Sequence, residues 1–179
     1  VTALAGFIHR RATEADIPAL RALMAAAIGE LQRGFLTPEQ IAASRIVMGL
    51  DTQLIADGTY FGVEAGGRFA GCGGWSRRAT LFGGNHTPGR DPALLDPATD
   101  AARIRAMYTA PGFTRRGVGR LILSLCEAAA AAEGFRRVEL AATLAGEPLY
   151  LACGYHPIEP FAVEADGVKV PLIRMGKPL

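Results

Sequence analysis

The sequence predicts an α/β fold on a mixed sheet, in the order β-α-α-β-β-β-α-β-α-β-β. Three observations carry this prediction. Short apolar strand-like runs alternate with stretches that carry helix caps and helical periodicity. A turn with glycines at 117 and 119 passes directly from a strand into an amphipathic helix. Two further strand pairs are joined by tight turns, Ala65-Gly66-Gly67 and Ala165-Asp166-Gly167.

Phe7-Ile8-His9-Arg10 reads as the first strand. Thr13 then starts a helix running to about Ile28, with Glu14 and Asp16 in the first turn, where negative charge is favoured. Thr37-Pro38-Glu39-Gln40 starts a second helix that reaches about Met48. Thr37 caps it, Pro38 fits the first turn and Gln40 can close the capping box. Residues 59–64 and 68–75 are apolar-rich strands. Residues 76–101 carry turn signals and no apolar period, so they form a long loop that either shapes a substrate site or is a mobile insertion. A strand follows over 102–109. The helix over 117–133 buries one stripe, with Val118, Leu121, Ile122, Leu125, Cys126 and Ala129 three and four apart, and Gly134 stops it. A strand over 137–142, a short helix over 147–153 and a hairpin of 155–163 with 168–174 complete the chain. No repeat or interdomain linker is visible, so one domain is expected over 1–179.

Composition bounds the function. Half of the 179 residues are apolar, a fifth are charged and the net charge is +2. That is an ordinary soluble pattern, and it does not point to a nucleic-acid partner. Cys72, Cys126 and Cys153 are odd in number and lack metal spacing, which suggests reduced thiols in a cytoplasmic protein. No apolar run reaches the roughly 18 residues of a membrane span, and no signal peptide is visible. His9, His86 and His156 make no ligand motif, so no metal is expected.

Thr114-Arg115-Arg116-Gly117-Val118-Gly119-Arg120 is the chemical centre of the sequence. The glycines allow bare backbone near a ligand. The helix start supplies unpaired N–H groups and the positive end of its dipole. Together these suit a phosphate or pyrophosphate, with Arg115, Arg116 and Arg120 adding charge at the rim. The dinucleotide-binding fingerprint fails because Ile122 stands where its third glycine belongs, and the Walker pattern has no Gly-Lys-Ser/Thr here.

With this loop, and with Leu149-Tyr150-Leu151-Ala152-Cys153-Gly154-Tyr155 following it in the right order, the chain resembles the GNAT superfamily of acyl-CoA-dependent N-acetyltransferases. The first motif is similar to the family's Arg/Gln-x-x-Gly-x-Gly/Ala loop, and the second to its Leu-Tyr-x-x-x-Gly-Phe segment. The resemblance covers nearly the whole chain. It implies a mostly antiparallel central sheet flanked by helices. It also implies acetyl-CoA as cosubstrate and a primary amine of a small molecule or peptide as acceptor. The pyrophosphate would lie on the amides of Arg115 through Arg120. The pantetheine arm would pair with the strand at Met107, Tyr108 and Thr109, with Thr143 where many members carry an asparagine. Tyr150 would protonate the departing thiolate.

Thr114 stands where the family prefers Arg or Gln, and the backbone donors survive that change. Arg103 stands where some members carry a glutamate base, so the base is unassigned; Glu64, His86, Asp100 and Glu159 are candidates by chemistry only. Arg77 and Arg78 read as solvated edge charges or as partners of an acidic acceptor. Trp75 reads as core, and Cys153 as a small buried thiol. The alternative function is a non-catalytic acyl-CoA-binding module. A homodimer through an exposed edge strand stays open.

Overall fold

A computed structural model describes residues 5–179. Its elements are β1 (Ile8–Arg11), α1 (Ile17–Leu31), α2 (Pro38–Val47), α3 (Thr52–Ala56), β2 (Tyr60–Ala65), β3 (Arg68–Ser76), β4 (Ala102–Thr109), α4 (Val118–Ala132), β5 (Arg137–Thr143), α5 (Glu147–Ala152), β6 (His156–Ala165) and β7 (Val168–Pro178). Every strand and helix predicted from the sequence is present. The sheet has the order β1-β2-β3-β4-β5-β7-β6 and is antiparallel throughout except for β4 beside β5.

Boundaries differ from expectation in α1 and in β7, which runs on to Pro178 because it pairs with β5 as far as Arg137. The residues after Thr13 make one 3-10 turn, Glu14–Asp16, and the α-helix begins only at Ile17 and runs on to Leu31. Asp16 is held there because its carboxylate accepts from the Thr13 N–H at 2.8 Å and bonds Arg10 on β1. The short α3 was not predicted. It starts where the Asp51 carboxylate accepts from the Gln53 N–H at 3.0 Å, a cap too brief to show as periodicity. The predicted capping box of α2 is formed. The Gln40 N–H donates to Thr37 Oγ1 at 3.2 Å, and the Thr37 N–H donates to Gln40 Oε1 at 3.0 Å.

The sheet is covered on both faces. On one side α4 buries Val118, Leu121, Ile122, Leu125 and Cys126 against Val63, Ala70, Trp75 and Ile104. This is the stripe the three–four spacing specified. On the other side α1 and α3 bury Leu20, Leu23, Met24 and Leu54 against Tyr60, Cys72 and Tyr108. A third cluster joins α2 to the β6–β7 hairpin through Leu36, Val47, Ala165 and Val170. Trp75 is core, edge-on to Phe135.

Two irregularities of β4 shape the site. First, β4 and β5 pair only at Ala102↔Val138 and Arg103↔Glu139 and then diverge, which opens a wedge in the sheet. Second, the β3–β4 register steps from Gly74↔Arg105 to Cys72↔Tyr108. Ala106 and Met107 therefore form a bulge without ladder partners, and Ala106 takes φ 49°. Positive φ is costly for alanine. The Tyr60 hydroxyl, fully buried beneath the sheet, holds the bulge by donating to the Ala106 carbonyl at 2.7 Å.

Candidate active site

The wedge between β4 and β5 continues into a cavity of about 830 Å³. Met107, Tyr108 and Thr109 line it from β4, as the sequence suggested. Arg115, Gly117, Val118, Gly119 and Arg120 line it from the start of α4, and Thr143 and Tyr150 from β5 and α5. Of the residues singled out for binding and chemistry, only Arg116 is missing from the wall. Its guanidinium lies over the rings of Phe7 and Phe113, at 5.3 and 5.0 Å, so its side chain braces the loop from outside.

The loop is shaped for an anion. Arg115 and Gly117 both take positive φ, 61° and 85°, which turns the chain sharply into α4. The N–H groups of Val118, Gly119 and Arg120 then lie in the first helical turn, where no intrahelical acceptor exists. A Cβ at Gly119 would stand 2.7 Å from Leu149 Cδ2, so a larger residue there would push the Leu149 side chain of α5 aside. Bare amides, a helix dipole and the guanidinium groups of Arg115 and Arg120 fit a diphosphate.

Tyr150 is 7 % exposed and packs edge-on against Tyr155, with ring centroids 5.8 Å apart. Tyr155 is fixed in turn by donating to Glu127 Oε1 at 3.0 Å. Burial pushes the Tyr150 phenol well above its ordinary range, and nearby Cys126 and Cys153 add to this, so it stays protonated at neutral pH. Its hydroxyl makes no hydrogen bond among the described residues. Thr143 Oγ1 accepts from the Gly146 N–H at 3.1 Å and so shapes the entry to α5 as well as the cavity wall. Cys153 is half-buried rather than buried.

The far end of the cavity is built by α1, the residues after α2 and the 76–101 loop, with Ile28, Gln32, Met48, Leu81 and Phe82 on its wall. The loop is anchored rather than a free insertion. Arg105, on β4, donates to the carbonyls of Thr80 (3.1 Å) and Gly83 (2.7 Å) and to Asp51 (2.9 Å). Arg90 reaches back to the same Asp51. Arg77 and Arg78 are not edge charges, because β3 lies inside the sheet. Arg77 pairs with Glu133 at the end of α4, and Arg78 with Asp57 beyond α3. Sequence could not reveal this network, whose central pair is 54 residues apart.

The candidate bases are scattered. Glu64 pairs with Arg10 near the β1 edge, Glu159 with Arg174, and Asp100 accepts from the Asp96 N–H. His86 is exposed, with its ring edge beside Gly49. Arg103 is paired with Glu139, which Arg174 also holds. No Asp, Glu, Lys or His is on the cavity wall among the described residues. The described residues also contain no His/Cys/Asp/Glu group suited to a metal, and no helix long and apolar enough to cross a membrane.

The split sheet and the helix that starts at its wedge are the frame of an acyltransferase. Residues 23–155 match the acetyltransferase (GNAT) family, and the chain belongs to it. Among solved structures, the chain is similar to a GCN5-related N-acetyltransferase from Rhodopseudomonas palustris, with TM-score 0.72 and 18% identity over 100% of this chain and 99% of that one. It is also similar to the PaiA N-acetyltransferase of Thermoplasma acidophilum, solved with coenzyme A, with TM-score 0.65 and 14% identity over 97% and 99% of the two chains. The ribosomal-protein-alanine N-acetyltransferase of Brucella melitensis gives TM-score 0.64 and 19% identity over 96% and 99%. At these identities the likeness is one of fold. Among curated proteins, none matches the chain.

Proposed function

We propose that this domain transfers an acetyl group from acetyl-CoA to a primary amine by direct attack. The observation that carries the reading is the single cavity joining the unpaired N–H groups at the start of α4, the open edge of β4 and Tyr150. The diphosphate would sit on the amides of residues 115–120. The amide-rich pantetheine arm would lie in the wedge, where β4 beyond Arg103 has no β5 partner. This sets the thioester near the bulge, where the Met107 N–H is off the ladder and can polarise the carbonyl oxygen as charge develops on it.

The amine nitrogen forms the new C–N bond while the C–S bond breaks. Tyr150 gives its proton to the departing thiolate, and the tyrosinate regains the proton that the newly acylated nitrogen sheds, through water. Among the described residues no carboxylate, imidazole or lysine on the wall can deprotonate an entering ammonium, so the acceptor reacts as the free base. Much of the acceleration comes from holding the two reactants together. Release of CoA thiol by wild type and Tyr150→Phe tests this. We expect turnover to fall by about 10²-fold, within the range for a positioned acid, with CoA affinity unchanged. Equal turnover would remove Tyr150 from the mechanism.

A further inference from the structure

We infer that the acceptor is a compact monoamine with an apolar body and one N–H or O–H donor, which Gln32 recognises. The inference rests on the proposed acetyl transfer and concerns the opposite end of the same cavity.

Gln32 closes α1 and is 4 % exposed, yet it lines the cavity. Its Nε2 meets only the thioether of Met48, at 3.7 Å, and its Oε1 has no partner and almost no exposed surface. A buried amide oxygen without a donor is costly in a folded protein, and a ligand whose donor draws the amide round into the cavity removes that cost. Around it the wall is apolar, formed by Ile28, Leu31, Phe35, Met48, Leu81 and Phe82.

Charge sharpens the choice. The only ionisable side chains on the cavity wall, tyrosines aside, are Arg105, Arg115 and Arg120 among the described residues. A polyamine or aminoglycoside would bring several positive charges and find no carboxylate. The same field favours the neutral form of an entering amine, which is the form that attacks. Shape favours a small molecule over an extended chain. Helix α2 is packed against the β6–β7 hairpin, with Gln40 Nε2 donating to the Lys169 carbonyl at 3.1 Å, and the Phe82 ring lies tilted against Phe161 at 5.8 Å. That side of the chamber is therefore walled by protein.

The test pairs binding with turnover. Calorimetry on the CoA-saturated protein and on the free protein compares tyramine, phenethylamine, spermidine and the peptide Phe-Ala-Ala, and thiol release from acetyl-CoA is measured with each. We expect tyramine to be used best, with kcat/KM at least tenfold above spermidine and the peptide. Gln32→Leu should raise the KM for tyramine about tenfold and leave phenethylamine within twofold, which a general loss of structure would not do. The wild-type ranking stands on its own if that variant folds poorly. Preference for spermidine or for the peptide overturns the inference while leaving acetyl transfer intact, as does failure of every amine to bind. Binding of tyramine without any thiol release overturns the proposed reaction instead and leaves the chamber's preference in place.

Discussion

Replacing Asp51 by alanine should be among the most damaging single changes in this chain. Both Asp51 and Arg105 have side chains only 2 % exposed. The carboxylate accepts from Arg105 Nη2 at 2.9 Å, from Arg90 Nη2 at 2.5 Å and from the Gln53 N–H at 3.0 Å. Alanine therefore strands a buried guanidinium, loosens a second one and uncaps α3. Breaking one side of a buried pair costs about 3–5 kcal/mol. A lost N-cap costs about 1 kcal/mol. The two overlap, so about 4 kcal/mol is expected, a large share of a typical domain stability of roughly 5–15 kcal/mol. Arg105 cannot escape by losing its proton, although burial lowers its affinity for one. Urea denaturation gives the answer as a shift in midpoint at constant slope. Arg105→Met and the double variant complete a cycle in which the pair should couple by about 2 kcal/mol or more. A loss below about 1 kcal/mol for Asp51→Ala would refute the claim that this pair anchors the loop.

Three further outcomes are expected. Tyr60→Phe leaves the Ala106 carbonyl without its donor, so stability should fall by about 1–2 kcal/mol and kcat several-fold while CoA affinity holds; unchanged kcat would detach the bulge from catalysis. Because no carboxylate or imidazole lines the cavity among the described residues and Tyr150 stays protonated beyond its ordinary pKa, kcat/KM should climb about tenfold per pH unit up to the acceptor's own pKa. A plateau starting near pH 6–7 for every amine would reveal a base in the chain. The Asp57 carboxyl is held below its usual range, chiefly by hydrogen bonds from Arg78, against burial. It thus contributes stability that is complete above about pH 4 and fades as pH falls through its lower folded value, so Asp57→Asn should flatten the acid limb of a melting-temperature profile.

The architecture was legible because its signals are local. The Thr37–Gln40 box, the α4 stripe and the glycines at 117 and 134 each act over a few residues, and the structure keeps them all. The donor end of the cavity wall was legible for the same reason, since the loop and the Tyr150 segment are contiguous motifs. What escaped depends on partners far away in sequence. The bulge exists only relative to the register of β3, and Tyr60 supports it across 46 residues. The loop over 76–101 reads as irregular because it is tied by arginines on other elements rather than by its own periodicity. Arg77 and Arg78 follow a strand whose sheet position no local pattern discloses. Gln32 looks like an ordinary end of a helix until its neighbours are in place.

The parting of β4 from β5 has a thermodynamic corollary. Only two residue pairs join the four strands on one side of the wedge to the three on the other. On the proposed reaction, the donor's arm supplies the missing rungs, and the unfolded chain offers nothing comparable to grasp. Loading at a hundred times the dissociation constant would add about 2.7 kcal/mol to the folded state. The nucleotide thioester is then a keystone as well as a reagent, and the lifetime of the catalyst rises and falls with the supply of what it consumes.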